Sequence, residues 1–176
     1  MDYEGNSSAD FAGNTSSASA PASASGGQFE VFLSFKGEDT RKTFTDFLYI
    51  YLDNAGVRVF RDNEGLHVGE EIGPALLKAI NESKISIPVF SGNYAFSKWC
   101  LLELVEMLKC RKTKGQRIFP IFYNVKPNDV QHQMGSYEEA FRQHQNHFGE
   151  GIIQEWKKAL RKVGKMKGLE LEETNG

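Results

Sequence analysis

The chain alternates between two kinds of hydrophobic pattern. Phe29-Glu-Val-Phe-Leu-Ser-Phe35 is apolar on nearly both faces of an extended segment and rich in aromatic and β-branched residues, which predicts a central strand of a covered parallel sheet. Phe44, Phe47, Leu48, Tyr51 and Leu52 then recur at helical spacing, with Asp39 or Thr40 as the candidate cap and Asn54-Ala55-Gly56 as the stop. Residues 57–60 form a second short strand and residues 61–69 a polar loop. Ile72, Leu76 and Ile80 mark the buried stripe of the next helix, which Glu70 and Glu71 open with the acidic first turn that a helix dipole favours. Residues 85–90 and 117–123 are two more apolar strands, although their internal prolines, Pro88 and Pro120, argue against a central place in a sheet.

Ser97 is placed to cap a helix reaching about Lys112, with Trp99, Leu102, Val105 and Leu108 available for packing. Ser136 and Glu139 make a capping-box pattern for a helix ending near Phe148. Ile152, Ile153, Trp156, Leu160 and Val163 mark another that ends at Gly164, and residues 169–171 add a last short strand. Alternation of strands and helices predicts an α/β fold, a parallel sheet with helices on both faces and ligand-binding loops at the strand C-termini. Residues 1–28 are almost entirely small and polar, so they form an expected disordered tail before a folded domain over 29–171 and a short tail over 172–176.

Composition changes this picture in three places. The net charge is −2, and the N-terminal tail carries Asp2, Glu4 and Asp10 with no basic residue, which leaves the folded part close to neutral. The basic residues around Lys109–Arg117 and Lys157–Lys167 therefore read as solvated or partner-facing surfaces, and nucleic acid is the disfavoured partner. No run is long and apolar enough for a membrane span, and the first residues carry no signal-peptide pattern, so the cytoplasm, with the nucleus as a second compartment, is expected. Cys100 and Cys110 fit neither a disulfide framework nor a zinc spacing and are expected as buried thiols, with no metal site.

Phosphate-cradling glycines, a serine nucleophile elbow and a zinc-protease helix motif are all missing from the sequence. His144 and His147 lie three residues apart on one helix, where solvent exposure is the simpler expectation than metal binding. Glu103 is the informative carboxylate. On the helix capped by Ser97 it shares a face with Trp99 and Cys100, so a carboxylate stands beside an indole near a helix N-terminus. Local sequence alone favours an ordinary exposed helical glutamate.

Three motifs, Phe35-Lys-Gly-Glu-Asp-Thr-Arg41, Phe60-Arg-Asp-Asn-Glu-Gly-Leu-His-Val-Gly-Glu-Glu-Ile72 and Ser97-Lys-Trp-Cys-Leu-Leu-Glu-Leu104, each follow a predicted strand. Together with Ile118-Phe-Pro-Ile-Phe-Tyr123 and Lys126-Pro-Asn-Asp-Val130 they resemble, in order, the successive signatures of plant Toll/interleukin-1 receptor (TIR) domains. The resemblance runs from about residue 29 to residue 171. It implies a flavodoxin-like fold with a five-stranded parallel sheet, in which strands with an internal proline are usual. It also implies an intracellular immune-signalling module that cleaves NAD+ or NADP+, as substrate rather than cofactor, at the nicotinamide–ribose bond.

By that resemblance Glu103 is the catalytic glutamate, and Lys36, Gly37, Glu38, Asp39, Arg61, Ser97, Trp99 and Cys100 bind substrate. Self-association with copies of itself, and with other TIR domains, is implied through the first helix at Thr45, Asp46 and Tyr49 and through the last at Trp156, Lys158 and Arg161. The chain departs from the family in carrying Lys36 where arginine is common, Val68 where a basic residue often precedes Gly69, and Thr45-Asp46 where Ser-His is frequent. Lysine cannot repeat a bidentate guanidinium contact, so a non-enzymatic homotypic scaffold is the alternative expectation.

Overall fold

The computed structural model describes residues 29–61 and 73–174. The expected tail over 1–28, the polar loop after Arg61, the helix opening at Glu70, Glu71 and Ile72, and the last two residues lie outside the described residues. Strands β1 (Val31–Phe35), β2 (Val59–Arg61), β3 (Ile85–Phe90), β4 (Arg117–Ile118), β5 (Ile121–Tyr123) and β6 (Leu169–Leu171) pair in parallel in the order β2-β1-β3-β5-β6, with β4 also on β3. Between them run helices α1 (Gly37–Thr40), α2 (Phe44–Asn54), α3 (Pro74–Glu82), α4 (Lys98–Lys114), α5 (Pro127–His132), α6 (Ser136–His144) and α7 (Glu150–Gly164). A 3-10 turn, Tyr94–Phe96, precedes α4.

β4 and β5 are one strand line cut at Phe119-Pro120, so the sheet is five strands wide, as expected. The cut accommodates both prolines. β3 pairs Ser86 with Ile118 and Val89 with Ile121, and continuing that register sets Pro88 opposite Pro120. The two residues that lack an N–H therefore share one rung, and the ladder resumes beyond them.

Alternation along the strands sends side chains to two cores. Phe32, Phe90 and Phe122 point to one face, where α3 to α7 bury Ile80, Leu101, Leu104, Met107, Phe141, Trp156 and Leu160 against them. Val31, Leu33, Ile87, Val89 and Ile121 point to the other, beneath Phe44, Leu48 and Leu52 of α2. Each such side chain, fully buried, contributes about 1.5–3 kcal/mol.

Local expectations fared unevenly. Ser97 does cap α4, accepting from the Cys100 amide at 3.3 Å, and Gly115 closes the helix in the left-handed region at φ 67°. Asp39 and Thr40 do not cap α2; they lie in the separate short α1, and Thr43 occupies the cap position with no side-chain capping bond, its hydroxyl donating instead to the Thr40 carbonyl at 3.4 Å. Phe47 and Tyr51, expected on the buried stripe, are 72% and 66% exposed. α2 is apolar almost all round, so period alone could not choose its inward face. The capping box at α6 is not formed: Gly135 holds the cap position, and the Ser136 hydroxyl instead donates to the Gly92 carbonyl at 2.6 Å. α5, which starts at Pro127, was not foreseen as a helix.

β6 docks through a contact that tolerates no side chain. A Cβ on Gly168 would stand 2.1 Å from the Pro120 oxygen, which accepts from the Leu169 amide at 3.0 Å. Gly168→Ala is expected to destabilise by about 1–3 kcal/mol through overpacking. Gly151→Ala, in α7 with no atom within 4 Å of the added Cβ, should instead stabilise by about 0.5–1 kcal/mol. Thermal melts of the two variants check this, and equal midpoints would refute the close-approach account.

Candidate active site

β1 and β3 are neighbours in register, with Phe35 opposite Val89, so both chains leave the sheet at the same C-terminal edge. The strand after β1 lies on one side of it and β3 on the other. This reversal of direction is where an open α/β sheet leaves a crevice for ligands. A cleft of about 680 Å³ occupies that place. Phe35, Lys36, Gly37, Glu38, Asp39, Arg41 and Lys42 form one wall, and Ser97, Trp99, Cys100 and Glu103 the other.

The α4 wall is set by the Ser97 cap. Trp99 and Glu103 stand one turn apart, and Cys100 lies between them. Glu103 is only 6% exposed, and the Lys98 ammonium rests 4.5 Å from the centre of the Trp99 ring. Burial, and then the nearby Glu103 charge, push the Cys100 thiol well up from its ordinary value, against the opposing effects of Ser97 and Lys36. Cys100 is therefore a protonated wall residue at neutral pH and no thiolate nucleophile.

The β1-loop wall is held by Asp39. Its carboxylate accepts from the Ser91 hydroxyl at 2.5 Å and from the Asn93 backbone and side-chain amides, each at 2.9 Å. These bonds tie α1 to the loop after β3, so Asp39 braces the two walls as well as lining the cleft. A Cβ on Gly37 would lie 2.8 Å from the Arg41 Nε, so the Arg41 side chain packs over this glycine, its guanidinium 5.2 Å from the centre of the Phe35 ring. Lys36 reaches within 3.9 Å of Glu38, and the cleft thus carries Lys36, Arg41 and Lys42 on one wall and a buried carboxylate on the other.

Seven of the eight expected substrate-binding residues line this cleft together with Glu103; Arg61 does not. The Arg61 guanidinium donates to Asp46 at 2.6 Å and lies 4.1 Å from the centre of the Tyr49 ring, joining the end of β2 to α2. Two residues expected at a self-association surface are inside the molecule. Thr45 is fully buried, donating to the Thr40 hydroxyl at 2.6 Å. Trp156 is 2% exposed, with His144 and Phe148 edge-on to its ring. Lys158 and Arg161 remain exposed on α7, on the opposite side of the sheet from α2.

His144 also departs from expectation. It is buried, with Nε2 2.7 Å from the Ala95 carbonyl, and burial lowers its pKa. Sequence reasoning gave no role to Ser91, Asn93 or Tyr94, whose bonds to Asp39 and Ser34 span more than fifty residues. Arg41 closes the first motif and Lys42 follows it, which was the available signal for both. Among the described residues no group of His, Cys, Asp or Glu could hold a metal ion, and no helix is long and apolar enough to cross a membrane.

Burial raises the pKa of Cys100, Tyr94 and Tyr137 alike. The folded state keeps these protons while the unfolded chain releases them, from 9.0 for the thiol and 10.0 for the phenols. The contribution of these three groups to stability is thus full below pH 9.0 and is lost as pH rises above it. Urea midpoints should fall along that alkaline limb, and Tyr137→Phe should make the fall shallower by up to about 1.4 kcal/mol per pH unit. An unchanged slope would contradict the assignment.

The family model described as TIR domain matches residues 28–175. Over 157 residues the chain is 47% identical to disease resistance protein RPV1 of Vitis rotundifolia, covering 89% of this chain and 11% of that protein. It is 44% identical over 149 residues to TMV resistance protein N of Nicotiana glutinosa, covering 84% and 13%. The chain therefore spans a small fraction of the length of these relatives. Among solved structures it is similar to the TIR domains of the activated Roq1 resistosome directly recognizing the pathogen effector XopQ. The TM-score is 0.73 at 40% identity, covering 81% of this chain and 87% of that one.

Proposed function

The chain belongs to the TIR domain family, with plant disease-resistance proteins as its relatives, and on that premise we propose that it self-associates and hydrolyses NAD+ or NADP+ at the nicotinamide–ribose bond. The released nucleotide, as ADP-ribose or a cyclised relative, would act as the defence signal. One observation carries the chemistry: a buried glutamate beside an indole, opening into a cleft whose other wall carries Lys36, Arg41 and Lys42 beside Glu38 and Asp39.

Nicotinamide leaves as a neutral base, because the C1′–N bond breaks with its electron pair going to the pyridinium nitrogen. The leaving group needs no proton, so one carboxylate serves where an ordinary glycoside requires two. Glu103 accepts hydrogen bonds from the ribose hydroxyls and stabilises the positive charge that develops at C1′. Water then adds to C1′ and loses a proton to solvent or to the same carboxylate. Trp99 supplies an apolar wall that limits water around the breaking bond. Lys36, Arg41 and Lys42 are placed for the diphosphate, and Asp39 holds their loop.

Purified protein should release nicotinamide from NAD+ with a rate that rises more than proportionally with protein concentration. Glu103→Ala should lose at least about 100-fold of that rate, the scale of a removed electrostatic stabiliser. Full activity in the variant would mean a different catalytic residue. No release by the wild type at any concentration would leave the scaffold function.

Self-association is supported by the outer face of α2, where Phe47, Ile50 and Tyr51 stand 72%, 49% and 66% exposed at helical spacing. Such a contiguous apolar face marks a contact surface. Phe47→Glu should lower the sedimentation-derived association constant by at least about 10-fold without changing the melting midpoint, since Phe47 is outside the core. Unaltered sedimentation would exclude α2 from the contact.

A further inference from the structure

We propose that Tyr94 and Ser34 are positioning residues for Glu103, fixing the first turns of α4 against β1. This rests on the reading of Glu103 as the catalytic carboxylate. Tyr94 sits in the 3-10 turn just before α4 and is fully buried, its ring edge-on to Phe90 at 4.9 Å. Its hydroxyl lies 2.8 Å from the Ser34 hydroxyl on β1 and 3.2 Å from the Cys100 carbonyl on α4. A carbonyl can only accept, so Tyr94 donates to Cys100 and the Ser34 hydroxyl must donate to Tyr94.

The chain of bonds thus has a single direction, from strand to phenol to helix. The Cys100 thiol adds a second tie to the same strand by donating to the Phe35 carbonyl at 3.5 Å. Both ties meet the helix at Cys100, three residues before Glu103 and one after Trp99. Both meet the strand within two residues of Lys36, which opens the opposite wall. The width of the cleft at Glu103 is therefore set by a phenol and a hydroxyl that touch no substrate: Ser34 is 1% exposed, and neither residue lines the cleft. A shift of about 1 Å at a reacting centre costs on the order of 100-fold in rate. Positioning at this point should accordingly act on turnover rather than on substrate capture.

Tyr94→Phe keeps the ring packing and removes both hydrogen bonds. It is compared with Ile153→Val, a buried α7 position outside the cleft that controls for lost stability. Two readouts are taken, steady-state nicotinamide release and amide hydrogen exchange at residues 101–104. The expected result for Tyr94→Phe is a kcat lower by at least about 10-fold with KM within about 3-fold, and faster exchange at 101–104. Ile153→Val should leave kcat within about 2-fold and the 101–104 amides protected. A Tyr94→Phe protein with the control's kcat and the control's protection overturns the proposal.

If the wild type releases no nicotinamide, the catalytic reading fails. Exchange at 101–104 then decides the positioning by itself: faster exchange upholds it and unchanged exchange overturns it. Should Tyr94→Phe fail to fold, Ser34→Ala is measured instead. It removes the upstream donor alone and should show the same pattern with smaller amplitude.

Discussion

The parallel pairing of β1 with β3 is the constraint on which the remaining structure hangs. Among the described residues it runs over five residue pairs, more than any other strand pair, and joins the two halves of the sheet. Its in-register C-terminal ends deliver the loop carrying Lys36 and Asp39 next to the loop carrying Tyr94 and Ser97. Several contacts that shape the cleft span that gap: Asp39 to Ser91 and Asn93, Tyr94 to Ser34, Cys100 to Phe35. The cleft is thus a property of the register more than of either loop alone.

Within it the polar groups divide into two populations. Asp39, Ser34, Ser91 and Tyr94 spend their hydrogen bonds on one another and on the backbone, which keeps the walls apart at a fixed distance. Glu103, Lys36 and Lys42 line the cleft itself. Low-dielectric surroundings make the first population rigid and the charges of the second effective. The rigid set is the one that sequence reasoning assigned least well.

The reason lies in separation along the chain. Strand and helix patterns, the Ser97 cap and the grouping of Lys36, Gly37, Trp99 and Glu103 were legible because each is encoded within a few residues or in a motif resemblance. Asp39 was legible as a local cap and, by the resemblance, as a substrate contact, but not as a brace between the walls, since the donors it accepts from lie more than fifty residues away. The Pro88 and Pro120 conflict dissolved once register placed them on one rung, which no single-segment pattern can state. Burial of Thr45, and exposure of Phe47 and Tyr51, likewise depend on which face of α2 meets the sheet. A helix that is apolar nearly all round carries no such information.

The strand order also bears on how the chain is made. Reading β2-β1-β3-β5-β6 in the sequence of synthesis, β2 adds to one edge of β1, and β3, then β4 with β5, then β6 add successively to the other. No later strand has to insert between two already paired. A ribosome can therefore release the sheet strand by strand, each arrival capping the edge left open by the last, and nothing formed early need be undone.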